Sequence, residues 1–252
     1  NKTEFKRNIK YFCIPTTHGT ASEVTMWGTI WNINEKKKYS ISHLDLYPSI
    51  AILDGYLTLS LPMDISIMTT LDALSHSLES IWNKNANKKS TDYAIEAIEL
   101  ILNNVEPLKD NPSDLKVRNN LIRASTIAGL AFSNTTTAAA HSISYPLTIR
   151  FGIPHGIASS ISLIPLLELN GNYIRESLDK ICQVLNLSYN ELVEKIKGIP
   201  EKIIPYSLSE WGILENNIPK LVEESFTKGR MDNNIKDLSK DDVRKILERI
   251  FK

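Results

Sequence analysis

Apolar positions along the chain change their period once. Up to about residue 60, β-branched and aromatic residues fall in short runs between polar turns. Residues 26–32 and 39–43 flank the polar stretch Asn34-Glu35-Lys36-Lys37, which predicts a hairpin. Ser49-Ile50-Ala51-Ile52-Leu53 reads as a short buried strand closed by Asp54-Gly55, and Tyr11-Phe12-Cys13-Ile14-Pro15 as a strand with no earlier partner. After Leu61-Pro62 the period becomes helical. Over residues 65–82, Ile67, Leu71, Leu74, Leu78 and Ile81 form one stripe. Further helices are expected over residues 91–105, stopped before Pro107, and over 114–132, capped by Ser113 or Asp114. Others follow over 138–147 and, after the loop Phe151-Gly152-Ile153-Pro154, over 155–169. Shorter helices fill residues 172–252, the last capped by Ser239 with Asp241 and Asp242 in its first turn.

This pattern predicts a mainly α protein. A β-rich segment over residues 1–60 precedes an all-helical domain over 61–252, with the change near residues 58–64. The chain opens without Met on a strand lacking an earlier partner, so we expect a piece that begins inside a longer fold. Composition changes the picture little. Of 252 residues, 42% are hydrophobic and 23% charged, as in soluble globular proteins, and the net charge of zero argues against a nucleic-acid or anionic-membrane partner. No apolar run is long enough for a membrane span, and Asn1-Lys2-Thr3-Glu4-Phe5-Lys6 lacks a signal-peptide core. Two cysteines, Cys13 and Cys182, read as free thiols in a reducing cytoplasm, the expected location.

Candidate chemistry lies on the first helix. Asp72 and His76, at i and i+4, share one helix face in an otherwise apolar stretch. His141 follows the small residues Ala138-Ala139-Ala140, and His155 opens a helix before Gly156. One carboxylate and three imidazoles suit a divalent transition metal, and the carboxylate biases the set toward iron(II). Taken singly, each residue has a plainer reading: a surface ion pair for Asp72 and His76, a hydrogen-bonded core histidine for His141, a helix-start residue for His155. Spacing alone does not separate a metal hydrolase from a redox enzyme. No general base for a metal-bound water stands out, and Glu79 reads as a helix-face residue.

Four ordered motifs carry a resemblance. They are P-T-T-H-G-T-A-S-E-V-T from Pro15, D-A-L-S-H-S-L-E from Asp72, Phe132-Ser133-Asn134, and His141 with His155-Gly156 fourteen residues on. Together they resemble the iron-containing (group III) alcohol dehydrogenase family. The resemblance implies a dehydroquinate synthase-like fold: an α/β nucleotide-binding domain, of which residues 1–60 are the remnant, and a helical metal domain, with the active site between them. It implies Asp72, His76, His141 and His155 as ligands of Fe2+, with Zn2+ or another divalent ion able to replace it. Thr16, Thr17, Gly19 and Thr20 are implied to line NAD(H) or NADP(H). The implied chemistry is hydride exchange between substrate carbon and nicotinamide, with the metal as Lewis acid on the substrate oxygen. A homodimer is expected from the family alone.

Two departures from the family stand out. Tyr145 occupies the place of a second histidine four residues after His141; it is either a proton relay or a packed aromatic. The Gly-Gly-Gly-Ser pyrophosphate turn is absent, and no G-x-G-x-x-G replaces it. Trp27-Gly28-Thr29-Ile30-Trp31, Ser80-Ile81-Trp82-Asn83 and the stretch from His141 to Thr148 resemble phosphonoacetaldehyde reductases. That resemblance implies reduction of phosphonoacetaldehyde to 2-hydroxyethylphosphonate. Arg150 is then either a phosphonate-binding cation or half of a surface ion pair, with Asn83, Ser144, Thr148 and Lys38 as further substrate candidates. Two other readings stay open: a general short-chain alcohol or diol dehydrogenase, and a truncated metal-binding helical module that is inactive without the nucleotide-binding region.

Overall fold

The computed structural model describes residues 9–32, 34–35 and 37–252. The expectation about residues 1–6, and Lys36 of the expected hairpin turn, lie outside this set.

Among the described residues four short strands come first: β1 (Phe12–Cys13), β2 (Trp27–Asn32), β3 (Lys37–Ser42) and β4 (Ile50–Ala51). The expected hairpin is β2 and β3, antiparallel with Trp27 opposite Ser42 and Asn32 opposite Lys37. The segment around Phe12 does have a partner, a later one: β1 pairs in parallel with β4. The expected buried strand over residues 49–53 is corrected. Only two residues pair, with β1 as partner, and Ile50, Ile52 and Leu53 are 49%, 44% and 39% exposed.

Ten helices follow among the described residues. They are α1 (Met63–Ile81), α2 (Lys88–Asp110), α3 (Leu115–Thr135), α4 (Ala139–Phe151), α5 (His155–Ser160), α6 (Leu163–Asn170), α7 (Arg175–Leu185), α8 (Tyr189–Gly198), α9 (Ile218–Glu224) and α10 (Lys240–Arg249). The caps at Asp114 and Ser239 form as expected; Asp114 accepts from the N–H groups of Lys116 and Val117. Two helices overrun their expected ends. α2 passes through Pro107, leaving the carbonyl of Asn103 without its helix bond on an exposed turn that water reaches. α4 similarly includes Pro146 and runs on to Phe151, where Gly152 at φ 70° ends it. The single helix expected over residues 155–169 is two. Pro165 has no N–H for the carbonyl of Ile161, and the chain restarts as α6.

α1 is the centre of the fold, packed by α2, α3 and α5. It is buried on every side from Leu71 to Ile81, as a central helix must be when apolar residues surround its axis. Its hydroxyls are satisfied within the helix: Ser75, Ser77 and Ser80 donate to the carbonyls of Leu71, Ala73 and His76 at 2.7–2.9 Å. That leaves Asp72, His76 and Glu79 as the buried groups of α1 whose needs the helix does not meet.

The loop before β2 is fixed to this core. Gly19 lies so near α1 that a Cβ there would meet Thr69 Cβ and O at 2.8 Å. A Cβ on Gly129 of α3 would stand 2.3 Å from Ala21 Cβ. Thr126 of α3 donates to Glu23 at 2.6 Å. The fully buried Arg118 donates to Ser66 Oγ (2.7 Å) and to the carbonyls of Pro112 (2.8 Å) and Leu61 (3.2 Å), with His18 Nε2 at 3.4 Å. A guanidinium only donates, so Nε2 is the acceptor and Nδ1–H points to Thr70 Oγ1 at 3.1 Å. Burial, with the Arg118 charge adding to it, lowers His18 to about 3.

Candidate metal centre

α1 presents Asp72, His76 and Glu79 on neighbouring turns of its inward face. The start of α4 brings His141 to them, and the start of α5 brings His155. α5 comes close because residue 156 is glycine. A Cβ there would stand 2.0 Å from the carbonyl oxygen of Met68, four residues before Asp72.

The donor atoms of Asp72, His141 and His155 lie within 4.8 Å of one another. Asp72 Oδ1 is 3.7 Å from His141 Nε2 and 3.9 Å from His155 Nε2, and it accepts from Ser159 Oγ at 3.0 Å. His76 is outside that trio. Its ring stacks on His141 (4.7 Å between centroids) and on Phe132 (4.1 Å), which itself stacks on Trp27 (5.4 Å). Trp31 meets His155 edge-on at 6.1 Å. The hairpin thus lays Trp27 and Trp31 over the histidines.

Glu79, read from sequence as a helix-face residue, is fully buried and holds His141. One carboxylate oxygen accepts from the His141 backbone N–H at 3.0 Å, and the other pairs with Nδ1. With Nδ1 engaged, Nε2 is left facing Asp72. Its position seven residues after Asp72, two helical turns on, was the available signal.

The electrostatics suit a cation. Burial lowers His141 well below the ordinary histidine value, and His76 and His155 lower it further. Burial likewise lowers His155. Burial alone would raise Asp72, but the three imidazoles and the Ser159 hydroxyl outweigh it and hold the group below its ordinary value. Burial pushes Glu79 up to about 7, against the pull of the N–H groups of His141, Ala138 and Ala140. Three imidazole nitrogens are buried with no hydrogen-bond partner: His76 Nδ1, His141 Nε2 and His155 Nδ1. Of these, His141 Nε2 faces Asp72, as does His155 Nε2, and imidazole nitrogens gathered on a buried carboxylate fit a divalent transition ion.

The cluster opens on a cavity of about 490 Å³, lined also by Thr20, Trp27, Trp31, Lys38, Tyr145 and Arg230. A second cavity of about 610 Å³ shares Trp31, Lys38, Ser40, Tyr145 and Arg230 with it. Of the other expected site residues, Thr16 is exposed and Thr17 half-buried on the loop that carries Thr20, and Gly19 is buried against α1. Neither cavity is lined by these three. Asn83 is buried away from the cluster, donating to Thr136 O and accepting from Asn85 N. Ser144 is buried, its hydroxyl bonded to His141 O at 2.7 Å. Thr148 Oγ1 is buried without a partner and lines neither cavity. Arg150, on the wall of the second cavity, forms a two-pronged ion pair with Glu224, the second of its two expected readings. Sequence reasoning passed over Arg230, which lines both cavities; nothing in its local pattern marks it.

A helical domain holding a buried carboxylate and orphaned neutral imidazoles at a cavity wall defines a candidate transition-metal centre. Residues 66–251 match the Fe-containing alcohol dehydrogenase family, C-terminal part, and residues 1–55 match the iron-containing alcohol dehydrogenase family. The chain belongs to this iron-containing alcohol dehydrogenase family. It is 29% identical to an NADPH-dependent butanol dehydrogenase of Clostridium saccharobutylicum, covering 98% of this chain and 66% of the relative. It is 32% identical to long-chain-alcohol dehydrogenase 1 of Geobacillus thermodenitrificans, covering 91% and 60%. Its fold matches a sulfoacetaldehyde reductase from Bifidobacterium kashiwanohense solved with NAD+, at TM-score 0.88 and 28% identity, over 97% of this chain and 65% of that one. The chain therefore spans less than two thirds of the length of the curated relatives it matches. Among the described residues no helix is long and apolar enough to cross a membrane.

Proposed function

We propose that this chain carries the metal-binding part of an NAD(P)-linked alcohol dehydrogenase or aldehyde reductase, acting on small aldehydes or alcohols. The observation that carries the reading is the convergence of Asp72, His141 and His155 donor atoms within 4.8 Å, with His141 Nε2 orphaned, at a cavity in a chain of this family. Asp72, His141, His155 and, as fourth ligand, His76 would hold the cation; iron(II) is favoured by the family. When bound, the cation supplies Lewis acidity to a substrate oxygen and the nicotinamide exchanges a hydride with the adjacent carbon. Division near residue 60 into a nucleotide-binding part and a helical metal part belongs to the same reading, with Thr16, Thr17, Gly19 and Thr20 on the nucleotide side.

The chain's own groups do the rest. Glu79 keeps the His141 proton on Nδ1 and its Nε2 lone pair toward Asp72. Phe132, backed by Trp27, packs on the His76 ring, and Trp31 meets His155 edge-on. Tyr145 Oη accepts from Arg230 Nε at 3.3 Å, which leaves its own hydrogen for the cavity. Proton relay by Tyr145 therefore has a defined donor atom.

The finer reading is that the aldehyde is phosphonoacetaldehyde, reduced to 2-hydroxyethylphosphonate. The resemblance of the Trp27–Trp31 and His141–Thr148 stretches supports it, as does fold similarity to a reductase whose substrate, sulfoacetaldehyde, also bears an anionic head. A plain alcohol or diol dehydrogenase is the second reading, favoured by similarity to butanol and 1,3-propanediol dehydrogenases. The test is a rate comparison on the iron-loaded chain, with NADH and NADPH in turn. Phosphonoacetaldehyde, sulfoacetaldehyde, butanal and 3-hydroxypropanal are offered at equal concentration. Highest kcat/KM for an anionic aldehyde supports the finer reading; highest kcat/KM for butanal or 3-hydroxypropanal supports the second. No reduction of any aldehyde, with metal bound, leaves a metal-binding helical module.

A further inference from the structure

The wall shared by the two cavities carries two cations that no carboxylate answers. Lys38 Nζ sits 3.9 Å from the centroid of the Tyr145 ring and 5.1 Å from that of Trp31. Arg230 donates from Nε to Tyr145 Oη at 3.3 Å and from Nη1 to Gly229 O at 2.6 Å. Among the described residues neither has an ion-pair partner. Nearby acids are engaged elsewhere, Glu224 with Arg150 and Glu223 with Lys240. Two like charges flanking one tyrosine repel, and with the cavities' acids engaged by other groups, Asp72 among them by Ser159 and the histidines, the pair favours an anion between them.

Arg230 is also held in place. Gly229, at φ 75°, and Arg230 both direct their N–H groups to Asp232 Oδ1, at 2.6 and 3.1 Å. Asn233 ties the same turn to the segment before His141, donating to Thr137 O (2.9 Å), Thr136 Oγ1 (2.8 Å) and Gly229 O (2.8 Å). Ser142, next to His141, accepts from Thr227 N at 3.0 Å and donates to Ser225 O. A guanidinium so braced, with Nη2 free of protein bonds among the described residues, is pre-organised for a planar, two-pronged grip on an oxyanion.

We infer that Arg230, assisted by the charge of Lys38, is the specificity-determining residue that binds the ionised phosphonate or sulfonate head of the substrate in the cavity shared with the metal cluster. This rests on the proposed aldehyde reductase reading and replaces Arg150 as the anion-binding group. The same chemistry would suit a nucleotide phosphate, so the test keeps the two apart.

Binding is measured by calorimetry on the full chain, metal-loaded and metal-free, with metal content determined separately. The probes are 2-hydroxyethylphosphonate, 2-hydroxyethanesulfonate, the neutral near-isostere 3,3-dimethylbutan-1-ol, and NADH or NADPH. The wild type is expected to bind the two anions more tightly than the neutral alcohol. Arg230→Met is expected to weaken phosphonate binding about 10- to 100-fold, the effect of one charge-assisted pair. Arg230→Lys should recover part of the loss, and Arg150→Met should change it less than about twofold, because that charge is met by Glu224. Alcohol and nucleotide affinities should stay the same in Arg230→Met. Unchanged phosphonate affinity in that variant, a neutral alcohol bound as tightly as the anion, no anion binding in either metal state, or a loss confined to the nucleotide would each overturn the inference. Arg230-dependent phosphonate binding without metal uptake would fail the metal reading and leave this inference standing; metal uptake without anion preference would do the reverse.

Discussion

Glu79→Gln keeps the side chain's size and replaces one carboxyl oxygen with an NH2, and its effect can be worked out atom by atom. Glu79 accepts twice from His141, from the backbone N–H at 3.0 Å and from the ring Nδ1. A glutamine has one oxygen for these two donors. If that oxygen stays on the backbone N–H, the amide NH2 meets Nδ1 and turns it into an acceptor. The ring proton then moves to Nε2, the nitrogen that has to present a lone pair beside Asp72. If the amide is reversed, the buried backbone N–H of His141 faces another N–H instead. Either arrangement leaves a buried polar group without its hydrogen bond, a cost of about 1–3 kcal/mol. At about 1.4 kcal/mol per tenfold, divalent-metal affinity should fall about 10- to 100-fold. Cobalt(II) titration followed by visible absorption reads the affinity, and circular dichroism of the metal-free protein confirms the fold. A folded Glu79→Gln variant that binds cobalt within about twofold of the wild type would refute the reasoning.

Two further outcomes are expected. His18 is buried and its value is lowered to about 3, so the fold favours the neutral ring: its contribution to stability is present above about pH 6.5 and is lost as pH falls toward 3. Wild type should lose about 2 kcal/mol more than His18→Gln between pH 7 and 5 in urea unfolding, and parallel pH profiles would show that His18 is not the group. Gly156→Ala would push a methyl into the carbonyl of Met68, so it should cost about 1–3 kcal/mol of stability and weaken metal binding by separating His155 from Asp72; wild-type thermal stability in this variant would contradict the close approach of α5 to α1.

The helices and part of the carboxylate–histidine cluster were legible where periodicity and spacing act locally. The stripe through Ile67, Leu71, Leu74 and Leu78 marks α1, and the i, i+4 spacing places Asp72 and His76 on one face. Local rules misled where context outweighed them. Pro107 read as a helix stop, yet it sits near the end of a helix that runs past it to Asp110. β1 found its partner thirty-eight residues further on, a long-range pairing that no local pattern announces. The site's supports were hidden for the same reason. Arg150 and Arg230 look alike in sequence. Only the tertiary fold brings Glu224 to the first and leaves the second at the cavity wall.

The central claim is that Asp72, His76, His141 and His155 hold one divalent ion. The most direct measurement is iron content after anaerobic iron(II) reconstitution and desalting, for the wild type and His141→Ala side by side. The expected result is about one iron per wild-type chain, lost in the folded variant. No retained iron in the wild type, or equal iron in both proteins, would contradict the assignment.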